Sequence, residues 1–392
     1  MELILIFGIA IALLFNFLNG LHDAANSIAT IVATRVLTPL QAVSLAAFFN
    51  LIGPLCFTTA IAKTIGKGIV APGWLTLEVI IIGIFVASFW IYATAYIGIP
   101  ISSTHAMVGG LVGTAVAYGG IDVVILPTLG LICKLIIAAL VGACIGSVAL
   151  SAAAKYKQET DLKFYAKIGA FFGFVFTIPV CIIFQILPIS GLLGIILFIC
   201  ISPSLGFAGA FILGCIVIRL CRNADYDKMN GIFRKLQFIS ASFYSLGHGS
   251  NDAQHAMGII TAMLVTTGIL TDFNVPLWVI LSSSAAISLG TLTGGWKIVR
   301  TMARRITHLR PYQGFCAESG GGLVLFFVTL FGVPVSSTHA ISGCIMGVGA
   351  TQGSSAVQWS MVRKIVTAWI ITIPLTATCA YFAFLFIKFI WP

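Results

Sequence analysis

The segment Gly98-Ile99-Pro100-Ile101-Ser102-Ser103-Thr104-His105-Ala106 returns later in the chain as Gly332-Val333-Pro334-Val335-Ser336-Ser337-Thr338-His339-Ala340. A second segment does the same: Gly20-Leu21-His22-Asp23-Ala24-Ala25-Asn26-Ser27 is echoed by Gly249-Ser250-Asn251-Asp252-Ala253-Gln254-His255-Ala256. Between them, Lys63-Thr64 and Lys67 match Arg300-Thr301 and Arg304. Three matched blocks in one order define an internal repeat. The copies are read as a first transmembrane repeat over residues 1–150 and a second over 231–392, with connecting helices and cytoplasmic loops over 151–230.

The sequence around the repeats is that of a membrane protein. Of 392 residues, 59% are hydrophobic and 8% charged, where a soluble domain carries about 25% charged residues. Mean hydropathy is +1.09. One spanning helix needs about 20 apolar residues, and stretches such as Leu77–Ile97, Val123–Ala149, Leu192–Leu220 and Val366–Phe389 supply them. The expected fold is an all-α integral membrane protein with about ten to twelve transmembrane segments, some of them broken. The first segment has no basic start and no small-residue cleavage site, so it is read as a retained span. The ten cysteines are scattered singly with no C-x-x-C pair and read as packing residues.

A net charge of +10 invites a nucleic-acid reading, but its placement argues against one. The basic residues gather at Lys155–Lys167, Arg219–Lys235 and Lys297–Arg310, between apolar segments, where basic loops stay cytoplasmic. A turn at Pro188–Gly191 is expected to bring the first two clusters to one side. The second aspartate motif follows a basic loop and the first does not, so the copies are expected to enter the membrane from opposite sides. That is an inverted-topology repeat, the architecture of many secondary transporters, with the site near the midplane.

Asp23 and Asp252 fall in or beside apolar spans, where a carboxylate costs roughly 2.5–3.5 kcal/mol and usually marks a site or pathway. A helix N-cap at the interface is the plain structural reading, but duplication favours a site. Gly20, Asn26, Gly249 and Asn251 are read as suiting an interrupted helix that holds a cation. The Pro-x-Ser-Ser-Thr-His segments read as starts of half-helices in two re-entrant hairpins. Such ends offer free N–H groups and a positive dipole end to an anion, and Ser102, Ser103, Thr104, Ser336, Ser337 and Thr338 add hydroxyl donors. His105 and His339 could donate to that anion or bond a carbonyl, and His248 is ambiguous in the same way. Glu318 is either a site residue or an interfacial cap. Lys134, inside an apolar stretch, is read as snorkelling.

The paired Gly-x-x-Asp-x-x-Asn and Pro-x-Ser-x-Thr-His motifs resemble those of the inorganic phosphate transporter (PiT) family, bacterial low-affinity type, over nearly the whole chain. The resemblance implies an inverted-repeat fold and a homodimer. It also implies phosphate held between the Ser/Thr hairpins beside Asp23 and Asp252, and coupling cations at His22, Asp23, Asn26, Asn251, Asp252, His255 and Glu318. Two departures stand out. His22 replaces the asparagine that precedes the first aspartate in sodium-coupled members, and His255 replaces the later asparagine of the second motif. Imidazole exchanges protons near neutral pH, so protons are favoured over sodium, with Asp23, Asn26, Asn251 and Asp252 as the sodium alternative.

Electrostatics also asks for a co-transported cation. Phosphate beside two aspartates gathers at least three negative charges, and no Lys or Arg lies in the motifs. The reading is a phosphate importer of the inner (plasma) membrane that needs no resident cofactor and works by symport and alternating access. Rivals are a sulfate permease of the same architecture, a cation channel and an intramembrane metal-dependent hydrolase. Against the last, the motif histidines occupy unlike positions in the two copies and no H-E-x-x-H is present.

Overall fold

The computed structural model describes residues 2–187 and 191–391, so all of the expected turn at Pro188–Gly191 but Gly191 lies outside the described residues. The first copy forms α1 (Glu2–Ala33), α2 (Pro39–Ile52), α3 (Ala60–Gly68), α4 (Leu77–Ile97), α5 (Ser103–Gly119) and α6 (Leu129–Tyr156). α7 (Leu162–Ile183) and α8 (Gly191–Leu220) follow. The second copy forms α9 (Tyr226–Thr266), α10 (Leu277–Thr293), α11 (Trp296–Arg305), α12 (Pro311–Leu330), α13 (Ser337–Ala350) and α14 (Trp359–Ile390). The six helices of one copy answer the six of the other in order. Local chemistry sets the boundaries. Thr38 and Gln41 form a capping box before Pro39, Thr76 and Thr128 cap α4 and α6, and Gly98 ends α4 in the left-handed region.

Among the described residues, seven helices are long and apolar enough to cross a membrane, or nine spans if each bent pair counts as one. Hydropathy alone misses α9, which runs 41 residues and packs nearly all its polar side chains inward from Gln237 onward. The bent pairs occupy matched places: α2 turns into α3 by 76° and α10 into α11 by 67°.

Side-chain bonds trace the topology. Arg234 donates to the Arg35 carbonyl at 2.8 Å, and the Gln358 N–H to the Ile306 carbonyl at 2.9 Å. These contacts gather the end of α1, the start of α9, the end of α11 and the start of α14 at one face. The basic clusters Lys155–Lys167 and Arg219–Lys235 and the Arg304–Arg310 end of the third lie at this face, which the positive-inside tendency makes cytoplasmic. Lys297 instead bonds the Tyr96 carbonyl at 2.8 Å at the end of α4. At the other face Lys388 pairs with Glu78 at 2.7 Å, and the end of α3 meets the end of α5 through Ile125 N–H to Ile69 carbonyl, 3.0 Å. α4 and α5 thus form a hairpin rooted outside, and α12 and α13 one rooted inside. Each root is tied by an equivalent bond, Thr114 to the Val79 carbonyl at 2.9 Å and Gln313 to the Val348 carbonyl at 3.1 Å.

The hairpin tips are held by the opposite copy. Thr64 of α3 donates to the Gly332 carbonyl at 2.8 Å, and Thr301 of α11 to the Gly98 carbonyl at 3.0 Å. The Thr of the third matched block thus does the same job twice. Gly98 and Gly332 have φ of +84° and +65°, and an added Cβ would sit 3.0 Å from the Cβ of Lys297 and 2.8 Å from that of Ala60. Glycine is needed there twice over, for conformation and for space.

One sequence expectation is corrected. α1 and α9 run unbroken through both aspartate motifs. Gly20 and Gly249 supply close approach rather than backbone freedom: a Cβ would meet the Ile287 carbonyl oxygen at 2.1 Å and the Cα of Asn50 at 2.4 Å. The breaks fall instead in the helices that press on these glycines, α10–α11 and α2–α3.

The connecting helices divide. α8 packs along α13 as α14 packs along α5, with Gly343 set against the Pro203 carbonyl and Gly113 against that of Ala377. α6 and α7 pack mainly on each other through Gly142, Gly146, Gly169 and Gly173, and α6 is mostly exposed. Small residues allow this backbone contact where lipid offers helices no hydrophobic incentive to associate.

Candidate substrate and cation site

The two half-helices begin as the Pro-x-Ser-Ser-Thr-His segments suggest. Ser102 Oγ accepts the His105 N–H at 3.2 Å, and Ser336 Oγ accepts the His339 N–H at 3.3 Å. Both serines are N-caps, and the first-turn N–H groups beyond them have no intrahelical acceptor. Of the next two residues of each hairpin, Ser103, Ser337 and Thr338 bond the aspartates, and Thr104 meets His255.

Asp23 and Asp252 are buried at mid-helix, which removes the N-cap reading for both. Asp23 accepts from His22 Nδ1 at 2.6 Å, from Ser103 at 3.3 Å and from Thr338 at 3.2 Å. Asp252 accepts from Asn251 at 2.7 Å and from Ser337 at 3.1 Å, and His248 Nε2 lies 3.3 Å from it. One ligand atom each from Asp23, His248 and Asp252 lie within 4.8 Å of one another. No lysine or arginine is buried among the described residues.

The departures from the asparagine pattern prove to be like-for-like in position. His22 donates to its own motif's aspartate as Asn251 does. Asn26 donates to Ser337 and Thr338 of the opposite hairpin at 3.2 and 3.0 Å, and His255 Nε2 meets Thr104 of the other hairpin at 3.2 Å. Asn26 Oδ1 and Asn251 Oδ1 are buried and find no partner among the described residues, so amide oxygens remain for a cation.

Glu318 is not an interfacial cap. It is fully buried in α12, accepting from Thr30 at 2.6 Å, Gln237 at 3.0 Å and Ser240 at 2.5 Å, and Thr34 adds a bond to Gln237 at 2.9 Å. This polar box lies between the aspartates and the cytoplasmic face. Aligning Asp23 with Asp252 and Pro100 with Pro334 places Ile84, Ile11, Ile259 and Met263 at the matched positions on the outer side. All four belong to an apolar core. The fold is duplicated, but this box is not.

The sequence profile of the phosphate transporter family matches residues 19–380. The chain belongs to the phosphate transporter family. This transporter is 43% identical over 379 residues to a probable low-affinity inorganic phosphate transporter of Rhizobium meliloti, covering 96% of this chain and 95% of that one. It is 35% identical to a probable low-affinity inorganic phosphate transporter of Bacillus subtilis, with both chains covered in full. A solved structure described as the sodium-dependent phosphate transporter superposes with a TM-score of 0.70 at 26% identity, covering 100% of both chains. The fold is therefore that of a multi-pass membrane transporter, not an enzyme, which retires the hydrolase reading.

The transporter buries His105 and His339 side by side. Their rings meet edge to face at 4.8 Å, and His339 stacks on Trp369 at 3.8 Å, while Trp369 Nε1 donates to the Pro100 carbonyl. They pack the two half-helices together. Sequence reasoning missed Asn50, which pairs with His248 at 3.1 Å and Thr291 at 2.9 Å, and it missed Thr30, Gln237 and Ser240. None of these lies in a duplicated motif, so the one available signal was a polar side chain at a fixed spacing in a span.

Proposed function

We propose that this transporter imports inorganic phosphate across the plasma (inner) membrane by symport with a cation, the proton in preference to sodium. The observation that carries the reading is two carboxylates, with their oxygens and His248 within 4.8 Å, set against two opposed helix starts. The hydroxyls of Ser103, Thr104, Ser337 and Thr338 and the free first-turn N–H groups suit a tetrahedral oxyanion. At an effective dielectric near 20, two unit charges 4.8 Å apart repel by about 3.5 kcal/mol, before phosphate adds its own charge. Neutral donors do not offset that, so a cation accompanies the anion.

His22, His248 and His255 touch or flank the carboxylates, and imidazole is a proton-exchanging group where a carboxamide is not, which supports the proton. The sodium reading rests on the unpaired oxygens of Asn26 and Asn251 beside Asp23 and Asp252. The Glu318 box serves as a second cation position on the cytoplasmic side. Loading of anion and cation lets the interlocked copies rock between outward and inward access. The functional unit is a homodimer.

The test is labelled phosphate uptake into liposomes carrying the purified protein, under a proton gradient in one set and a sodium gradient in the other. Uptake on the proton gradient alone supports the proposal. A sodium requirement transfers coupling to the asparagine oxygens. Concentrative uptake of sulfate in place of phosphate, with sulfate the stronger competitor, would overturn the choice of anion.

A further inference from the structure

A cavity of about 410 Å³ opens at the cytoplasmic face between the end of α8, the start of α9 and the start of α12. Its polar lining includes Arg222, Arg310, Tyr226 and Tyr312. Both arginines are exposed, and neither has a carboxylate within ion-pair distance among the described residues. Asp225, the nearest acid in sequence to Arg222, caps α9 by accepting the Lys228 N–H at 2.9 Å. The cavity is therefore cationic without an internal counter-charge.

The remaining wall is apolar, with Val217, Ile218 and Phe233. Beyond this wall α8 exposes further apolar side chains, Ile216 at 48% and Leu220 at 79%, as expected of a helix that meets acyl chains in a bilayer. One pole carries two guanidinium forks, which match a phosphodiester in geometry and charge. Asn230 completes the polar lining, and the apolar wall of Val217, Ile218 and Phe233 offers nothing to a free hydrated anion. Basic pockets between helices at the cytoplasmic side suit anionic headgroups, and that leaflet is itself negatively charged.

We propose that this cavity binds the headgroup of an anionic phospholipid from the cytoplasmic leaflet, its acyl chains lying along α8. The position gives the lipid a mechanical role. Phe233 lies one turn before Gln237 on α9, and Tyr312 lies two turns before Glu318 on α12, so the cavity sits over the Glu318 box. Its third wall, α8, is the helix packed along α13. A bound lipid braces the helices that carry Asp252 and Glu318 against the support of the inner hairpin.

The test uses the full-length protein with phosphatidylglycerol as the probe. Native mass spectrometry after exchange into phosphatidylcholine doped with phosphatidylglycerol counts the retained lipid. Wild type and R304Q, which alters a basic residue of the same face outside the cavity, retain phosphatidylglycerol. R222Q/R310Q retains it at roughly tenfold lower occupancy, as expected for the loss of charge-assisted bonds. If the double variant is polydisperse, the single variants R222Q and R310Q, both at exposed positions, carry the same comparison. Equal retention by the arginine variants and wild type would sink the proposal. Excess inorganic phosphate should leave the lipid bound; displacement of the lipid by phosphate would reassign the cavity to the free anion.

Discussion

Replacing Asp23 by Asn tests the central electrostatic argument. The side chain keeps its shape, its Oδ1 still accepts from His22 and Thr338, and the new Nδ2 donates to Ser103 Oγ where the lost oxygen accepted from it, so the buried network persists. The charge goes. In the wild type, Asp23 and Asp252 oxygens lie within 4.8 Å. That corresponds to at least about 3.5 kcal/mol of repulsion at an effective dielectric near 20, or roughly several hundred-fold in an equilibrium constant. This repulsion makes a cation obligatory. Without it, phosphate needs less neutralisation to bind, and the cation loses a ligand. The expected phenotype is uncoupling: proteoliposomes loaded with unlabelled phosphate exchange it for labelled phosphate, while accumulation driven by an imposed cation gradient falls to background. Detergent-purified variant should elute as a single species, showing that insertion is intact. Gradient-driven accumulation at the wild-type ratio would refute the reasoning.

Glu318→Gln keeps a side chain of the same length in the box while removing its charge, so the number of cations moved per phosphate should fall by about one; reversal-potential measurements on proteoliposomes read that ratio. Gly98→Ala forces a left-handed residue into a Cβ contact of 3.0 Å with Lys297. It should destabilise the protein by about 1–2 kcal/mol, seen as a lower melting temperature in detergent, and an unchanged melt would mean the tip is loosely held. His255→Asn places the residue of the first copy in the second, keeps a donor for Thr104, and should leave labelled phosphate uptake into proteoliposomes active. Ser102→Ala removes a cap worth about 1 kcal/mol at the anion-facing helix start and should raise the KM for phosphate more than it lowers the maximal rate.

The sequence made the fold and the centre of the candidate site readable because both are written twice. A single Asp in a span has competing explanations; Asp23 and Asp252 in matched surroundings have fewer. The same signal located Ser103, Thr104, Ser337 and Thr338. It failed where the copies differ. The Glu318 box draws on Thr30, Thr34, Gln237 and Ser240, whose counterparts are apolar, so duplication is silent about it. Gly20 and Gly249 were misread because glycine permits both a bend and a close contact, and only the carbonyl of Ile287 and the backbone of Asn50 decide between them. The packing of α8 on α13 was hidden for a different reason: membrane helix contacts are made by small residues whose pattern does not name a partner.

The cross-held hairpin tips bear on how the molecule is made. Gly98 is bonded by Thr301, and Gly332 by Thr64, so the outer hairpin cannot reach its final seat until most of the chain has been synthesised. The first six helices leave the ribosome with a tip that lacks its anchor and with Gly20 facing no Ile287 carbonyl. Nascent chains must therefore wait in the bilayer as a loose set of helices, and assembly of the core is a late event. Two separately expressed halves should be degraded when alone and rescue each other when present together.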